Sequence, residues 1–259
     1  MYLLVGFIAA TFGAIAGIGG GVIIKPVLDL LGHYDIQSIG ILSAVCVLSM
    51  ATISLIRFFL GKVKIDIRTS VLLAIASIIG GSIGKVFFNN LITAVNSEKI
   101  VAVTQSVTLS ILMLFIFMYT KNKHRIKTFQ IENVTAIFII GLLLGMIAAF
   151  LGIGGGPFNV AVLTIGFSMT FKDASINSIF IIFFSQLSSL LTTQVATGFT
   201  PFELNMLPFI VLGGVTGGFI GSSLLKRLPS KRIEVIFSFG IMIILFINVF
   251  NAFKIALYT

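Results

Sequence analysis

The chain has 259 residues, of which 58% are hydrophobic and only 10% are charged. Soluble domains carry about 25% charged residues, so this composition argues against a soluble enzyme and predicts an all-α polytopic membrane protein. The single cysteine, Cys46, argues against a disulfide scaffold. The net charge of +9 arises from basic residues in short gaps between apolar runs. That pattern is typical of cytoplasmic membrane loops and does not indicate nucleic-acid binding.

Six apolar segments are long enough to cross a ~30 Å hydrocarbon core as helices. In chain order they span about 36–60, 69–92, 99–120, 173–197, 203–226 and 232–254. Two further apolar regions, 2–33 and 131–169, are interrupted by glycines, and each is predicted to form a helical hairpin. The polar stretch 121–130 is predicted to be a cytoplasmic linker between two parts of the chain.

Three landmarks recur along the chain at nearly constant spacing, which indicates a duplicated unit. Gly17-Ile18-Gly19-Gly20-Gly21 recurs as Gly152-Ile153-Gly154-Gly155-Gly156, Gly80-Gly81 as Gly217-Gly218, and Ser97 as Ser230. The offsets are 135, 137 and 133 residues. The sequence therefore predicts a first repeat over 1–120 and a second over 131–259.

The distribution of Lys and Arg predicts how the two repeats are oriented. If each interrupted region crossed the membrane once, the 17 basic residues would divide nine to eight. If each is a hairpin, re-entrant or crossing twice, only Lys25, Lys85, Lys99 and Lys254 lie on the outer side and 13 lie inside. The second division follows the positive-inside rule. It predicts inverted repeats with both termini outside, in the plasma membrane of a bacterium or archaeon.

The two glycine runs are predicted to break their helices, because Gly costs about 1 kcal/mol relative to Ala inside a helix. Unwound backbone cannot face lipid, so it must be buried or line a cavity. Val22 and Pro157 are predicted to begin new half-helices, whose free N–H groups and dipoles favour an anion. Two inverted half-helices meeting at the midplane are typical of secondary transporters. The alternative is that these glycines serve only close helix packing, as is predicted for Gly80, Gly81, Gly84, Gly217, Gly218 and Gly221.

The predicted substrate-binding residues combine the breaks with nearby polar side chains. They are Gly19, Gly20, Gly21, Val22, Lys25, Gly154, Gly155, Gly156, Pro157, Asn159, Ser43, Asn177, Ser178, Ser185 and Gln186. Polar residues at membrane depth usually face a cavity, although interhelical hydrogen bonding is an alternative for those in 36–60 and 173–197. Lys25 could complement an anion one turn into its half-helix, or could snorkel to the interface beside Asp29 and His33.

The paired G-x-G-G-G breaks, the chain length and the duplicated hydropathy resemble the sulfite exporter TauE/SafE family over essentially the whole chain. The resemblance implies a membrane permease for sulfur-containing anions such as sulfite and organosulfonates. The second motif ends in Gly156-Pro157, whereas Val22 follows Gly21 in the first. The two tips therefore need not bind equally.

These features predict a secondary transporter of a small anion that works by alternating access, with the lipid bilayer and the anion as its partners. A homo-oligomer is compatible with them. No Walker A motif and no metal-ligand spacing is present, so the chain is predicted to be no enzyme and to use no cofactor or metal. A passive anion channel and a non-catalytic membrane subunit of an assembly are the alternatives.

The predicted topology can be tested with reporters fused after Thr259. We expect a periplasm-active reporter such as alkaline phosphatase to be active there, and a cytoplasm-active fluorescent protein to stay dark. Fusions within the basic linker 121–130 should behave in the opposite way. A cytoplasmic signal at Thr259 would contradict the topology.

Overall fold

The computed structural model describes residues 1–95, 98–151 and 153–258. Within these ranges all regular secondary structure is helical, with ten α-helices and one 3-10 helix, Lys123–Arg125. This confirms the predicted all-α class. Gly152, at the start of the second predicted break, and Thr259 lie outside the described residues, as do the side chains of Lys99 and Lys254.

The helices divide into two sets of five on either side of the polar linker. The first set is α1 Tyr2–Ala16, α2 Gly21–Leu31, α3 Ile36–Leu60, α4 Ile67–Val95 and α5 Glu98–Asn122. The second set is α6 Val134–Leu151, α7 Gly156–Gly166, α8 Phe171–Ala196, α9 Leu207–Arg227 and α10 Ser230–Tyr258. Each hairpin expected at 2–33 and 131–169 consists of one longer and one shorter helix.

Seven of these helices are long and apolar enough to cross a membrane. Six correspond to the uninterrupted segments expected from the sequence, and the seventh is α6, with 18 residues. Its counterpart α1 has 15 residues. The second arms, α2 and α7, have 11 residues each. At 1.5 Å per residue such an arm spans about 16 Å, roughly half of the hydrocarbon core.

Side chains and prolines set several helix starts. Asp35 caps α3 by accepting hydrogen bonds from the N–H groups of Gln37 and Ser38, and Thr170 caps α8 by accepting from Asp173. The hydropathy predicts a start of α9 at 203, whereas the helix begins at Leu207. Pro208 occupies its first turn, where its fixed φ favours a helix start.

Helix contacts cross between the two sets in matching pairs. The main packing pairs are α1 with α9 and α4 with α6, followed by α3 with α9, α5 with α10 and α4 with α8. The shorter arms lie against the next helix in their own set, α2 against α3 and α7 against α8. The central helices α3 and α8 contact each other and are buried over most of their length. The core therefore lies between the sets, and neither set encloses it alone.

Glycines bring the backbones of the two main pairs into direct contact. A Cβ built on Gly80 would lie 2.0 Å from the carbonyl oxygen of Leu142, and one on Gly84 would lie 2.5 Å from that of Met146. In the other pair, a Cβ on Gly217 would lie 2.6 Å from the carbonyl oxygen of Phe7. The predicted packing role holds for Gly80, Gly84, Gly217, Gly218 and Gly221, where a side chain would separate the helices. It is wrong for Gly81, because a Cβ there would be 4.0 Å from its nearest neighbour.

Substitution of adjacent glycines in α4 tests this packing. We expect Gly80→Ala to destabilise the protein by about 1–3 kcal/mol, because its methyl group overlaps the Leu142 backbone. Gly81→Ala is the matched control, since its Cβ would be 4.0 Å from its nearest neighbour, the Gly145 carbonyl oxygen. It should be neutral, or stabilising by up to about 1 kcal/mol through helix propensity. Thermal unfolding in detergent measures both, and equal melting temperatures would contradict the packing argument.

Candidate site at the two glycine breaks

The first break is a left-handed turn between α1 and α2. Gly17 ends α1 with a φ of 69° and donates its N–H to Gly13, and Gly19 has a φ of 66°. Gly20 then forms the N-cap of α2. Positive φ values favour glycine because a Cβ is strained there. Gly13, which the sequence analysis did not single out, is also required, because a Cβ on it would lie 2.4 Å from the Gly20 nitrogen.

The second break, between α6 and α7, also contains left-handed glycines, but its N-cap Gly155 differs from the equivalent Gly20, whose φ is −59°. Gly154 and Gly155 have φ values of 76° and 71°, and α7 begins at Gly156 with Pro157 in its first turn. The Ile153 N–H bonds the Ala148 carbonyl at 3.2 Å, as the Ile18 N–H bonds that of Gly13 at 3.1 Å. Both half-helices thus begin at the third glycine of their run, one residue before the predicted Val22 and Pro157.

The two breaks lie against each other. A Cβ on Gly156 would fall 1.8 Å from the Ile18 carbonyl oxygen, and one on Gly21 would fall 3.0 Å from the Ile153 carbonyl oxygen. These two contacts join equivalent positions of the repeats in opposite order. All residues from Ile18 to Val22, and from Ile153 to Asn159, are buried. The breaks are therefore packed inside protein, as unwound backbone at membrane depth requires.

The first N–H groups of both half-helices lack an intrahelical acceptor, as at any helix start. Among the described residues, no hydrogen bond uses the N–H groups of Gly21 and Val22 in α2, or of Gly156 and Phe158 in α7. Such donors, at the positive end of a helix dipole, are suited to bind an anion.

Serine hydroxyls from the central helices hold the backbone around the breaks. Ser178 donates to the Gly17 carbonyl at 2.7 Å and lies 3.5 Å from the Gly156 carbonyl. Ser43, at the equivalent position of α3, lies 3.5 Å from the Gly21 carbonyl. Ser175, not singled out from the sequence, donates to the Ala16 carbonyl at 2.9 Å. Its position one turn before Ser178, on the same helix face, is the signal that could have found it.

Two buried amides lie at the second break. A Cβ on Gly154 would lie 3.3 Å from Nε2 of Gln186, and one on Gly155 would lie 3.7 Å from Oδ1 of Asn159. Both side chains are buried, with 6% and 2% exposure. Nε2 of Gln186 makes a long, 3.4 Å contact with the Ser185 hydroxyl. These two amides are polar groups that the described residues place beside this break.

Gly19 of the first break has apolar side chains around it instead. The nearest side-chain atoms to a Cβ on Gly19 would be Cδ1 of Ile182 at 3.3 Å and Cγ1 of Val47 at 3.4 Å. Val22 is fully buried among core side chains. The two glycine runs thus differ in the side chains around Gly19 and Gly154, and in the backbone at Gly20 and Gly155.

Two predicted site residues make their hydrogen bonds away from the glycine carbonyls. Asn177 accepts from the Asp66 N–H and the Ser70 hydroxyl, so its amide holds the start of α4 against α8. Lys25 is buried and donates to the Leu151 carbonyl at 2.8 Å and to Gln105 at 2.5 Å. The alternative interfacial position of Lys25 beside His33 is therefore not the one observed.

The contact between the breaks can be tested at Gly156. We expect Gly156→Ala to lower the melting temperature and to abolish any ligand-induced stabilisation, since its methyl group would overlap the Ile18 carbonyl. Gly40→Ala in α3 is the matched control, because nothing lies within 4 Å of a Cβ built at that position and its φ is not positive. Wild-type stability of Gly156→Ala would show that the breaks do not touch as described.

Comparison with known proteins agrees with this architecture. The family described as "Sulfite exporter TauE/SafE" matches residues 2–248. A "Probable membrane transporter protein" of Haemophilus influenzae is 33% identical over 162 residues, which cover 60% of this chain and 56% of that relative. The chain thus matches little more than half the length of that relative. The "Probable membrane transporter protein YunE" of Bacillus subtilis is 23% identical over 263 residues, covering 93% of this chain and 94% of the relative.

With seven helices among its described residues long and apolar enough to span a bilayer, the chain is a multi-pass integral membrane protein. The family match extends over both breaks and nearly all of the helices. The chain therefore belongs to the sulfite exporter TauE/SafE family, a family of membrane transporters and not of enzymes.

Proposed function

We propose that this chain is a secondary transporter of a small anion, sulfite or another sulfur-containing anion such as an organosulfonate. The anion binds at the glycine breaks, where it accepts hydrogen bonds from the starts of the half-helices. The observation that carries this proposal is the pair of opposed breaks, buried against each other, whose first N–H groups have no acceptor among the described residues. The family description and the sulfur anions implied by the resemblance support the substrate class.

Size and polarity also favour a small oxyanion. Without a side chain, Gly154 and Gly155 leave their backbone accessible at close range, and the Gln186 and Asn159 amides add polar groups beside them. A tetrahedral or pyramidal oxyanion can accept several such hydrogen bonds at once. Charge-assisted hydrogen bonds of this kind are roughly twice as strong as neutral ones.

We further propose that the two sets of five helices are inverted repeats with both termini outside the cell membrane. The matching contacts support this, because α1 packs on α9 as α6 packs on α4, and α2 lies on α3 as α7 lies on α8. The excess of basic residues on one side supports the orientation.

Alternating access would then move helix pairs against the central helices. The pairs α1–α9 and α4–α6 are joined by backbone contacts at glycines, which makes each pair a stiff unit. The breaks are buried in the present conformation, so substrate entry requires these units to separate from α3 and α8. Rocking of rigid units around a fixed central site is the usual mechanism in inverted-repeat transporters.

Uptake into proteoliposomes tests the proposal. We expect saturable uptake of radiolabelled sulfite, inhibited by methanesulfonate, and no uptake of mannitol. Equal uptake of sulfite and mannitol would exclude an anion site, and flux that does not saturate would favour a channel.

A matched pair of variants in α8 locates the site. Gln186→Leu removes the amide beside Gly154 and should lower sulfite uptake about tenfold, the effect of one lost hydrogen bond. Gln194→Leu, on an exposed face of the same helix, should leave uptake within about twofold of wild type. Both proteins should elute as monodisperse peaks. Unchanged uptake by Gln186→Leu would remove this amide from the site.

A further inference from the structure

We propose that Lys25, although it belongs to the first half-helix, supplies positive charge to the second glycine break and makes that break the anion-selective one. This inference rests on the proposed function and specifies it further. It assigns one anion to the α6–α7 break and gives Lys25 the role of a specificity-determining and positioning residue.

Lys25 reaches across to the end of α6. Its Nζ donates to the Leu151 carbonyl at 2.8 Å and to Oε1 of Gln105 at 2.5 Å. Gln105 in turn donates its Nε2 to the Phe150 carbonyl at 2.6 Å. Leu151 is the last residue of α6, so an ammonium group and its amide partner hold the carbonyls that immediately precede the second break. These carbonyls lack intrahelical donors, and a cation there also complements the helix dipole.

The charge of Lys25 is not paired directly with a carboxylate. The side chain is 5% exposed, and no carboxylate among the described side chains forms an ion pair with it. Asp29, one turn further along α2, acts on Lys25 only through its longer-range charge, which Lys85 opposes. The two hydrogen-bond acceptors of the ammonium group are neutral and occupy two of its three N–H donors. A buried charge without a direct counter-ion is costly, so an anion bound at the adjacent break would be stabilised by this charge.

At the first break, the end of α1 corresponds to the end of α6, and no charged side chain among the described residues donates a hydrogen bond to the carbonyls of Ala16 and Gly17. The end of α1 is held by hydroxyls, with Ser175 bonded to the Ala16 carbonyl and Ser178 to the Gly17 carbonyl. The residue 135 positions after Lys25 is Val160. The duplicated hairpins therefore have helix ends of different charge: neutral at the first break and positive at the second.

The lining of the breaks follows the same asymmetry. Gln186 and Asn159 lie beside Gly154 and Gly155, whereas Ile182 and Val47 lie beside Gly19. Charge, amide groups and left-handed glycines thus coincide at the second break only.

A contact from α10 fixes the part of α2 that carries Lys25. Asn251, which is 1% exposed, donates its Nδ2 to the Pro26 carbonyl at 2.8 Å. This bond ties the residue next to Lys25 to the protein core. The ammonium group is therefore held on a fixed backbone, as a preorganised electrostatic site requires.

The test compares a divalent and a monovalent probe of similar shape, sulfate and methanesulfonate, by calorimetric binding to the purified protein in lipid nanodiscs. At an effective dielectric constant near 20, removing one charge about 10 Å from a bound ligand lowers the affinity for a monovalent anion about tenfold. The affinity for a divalent anion falls about a hundredfold. Lys25→Gln should therefore reduce the preference for sulfate over methanesulfonate about tenfold. If Lys25 had a purely structural role, the substitution would lower the affinities for both probes equally. The ratio of sulfate affinity to methanesulfonate affinity would then stay unchanged.

Three further variants complete the design. Gln105→Glu places a carboxylate beside Lys25 and should lower the ratio of sulfate to methanesulfonate affinity, as Lys25→Gln does. This variant keeps the test possible if Lys25→Gln folds poorly. Lys25→Arg keeps the charge and should keep the wild-type ratio. Lys172→Gln is the matched control, because Lys172 also donates to carbonyls at a helix end, those of Lys226 and Leu228, and not to the end of α6. Its affinities should match those of the wild type.

The outcomes separate this inference from the proposed function. If the wild-type protein binds neither probe nor sulfite, the proposed function is wrong and the inference fails with it. If the wild-type protein binds the probes but neither Lys25→Gln nor Gln105→Glu changes the ratio, only the inference is overturned. A fall in the ratio for both variants, with Lys25→Arg and Lys172→Gln unchanged, supports it.

Discussion

The structure depends on one constraint: backbone that leaves helical geometry inside a bilayer must still be buried and satisfied by protein. Two glycine runs separate helices inside the fold, and each is covered by the other. The Ile18 backbone packs on Gly156 and the Ile153 backbone lies near Gly21, so neither break has a complete environment without its partner. The two sets of helices are therefore interdependent at their centre.

The carbonyls at the two interrupted helix ends are satisfied by different chemistry. Hydroxyls of Ser175 and Ser178 serve the end of α1, while the ammonium of Lys25 and the amide of Gln105 serve the end of α6. A duplicated backbone thus carries an asymmetric distribution of charge. In the function proposed above, this difference in charge would favour one break over the other as the anion site.

Tight packing and adaptable packing occupy different parts of the molecule. Glycines join α1 to α9 and α4 to α6 through backbone contacts that no larger residue could make. The central helices α3 and α8 present side chains, such as Val47, Ile182 and Gln186, to the breaks. Side-chain contacts can rearrange at a lower free-energy cost than closely packed backbones can.

Hydropathy, glycine runs and their 135-residue offset are properties of the chain alone, so the all-α membrane class, the six long spans and both hairpins are predictable from the sequence. The half-helix starts are predictable to within one residue, because glycine and Pro157 act through local φ preferences. Hydrogen-bond partners that are distant in sequence are not predictable in this way. Nothing near Lys25 in the sequence indicates that it bonds Leu151, 126 residues away, or that Asn177 holds α4 while Gln186 lies beside Gly154. Those assignments depend on how α2, α5, α6 and α8 pack together, since long-range contacts are set by the mutual fit of helices and not by local sequence.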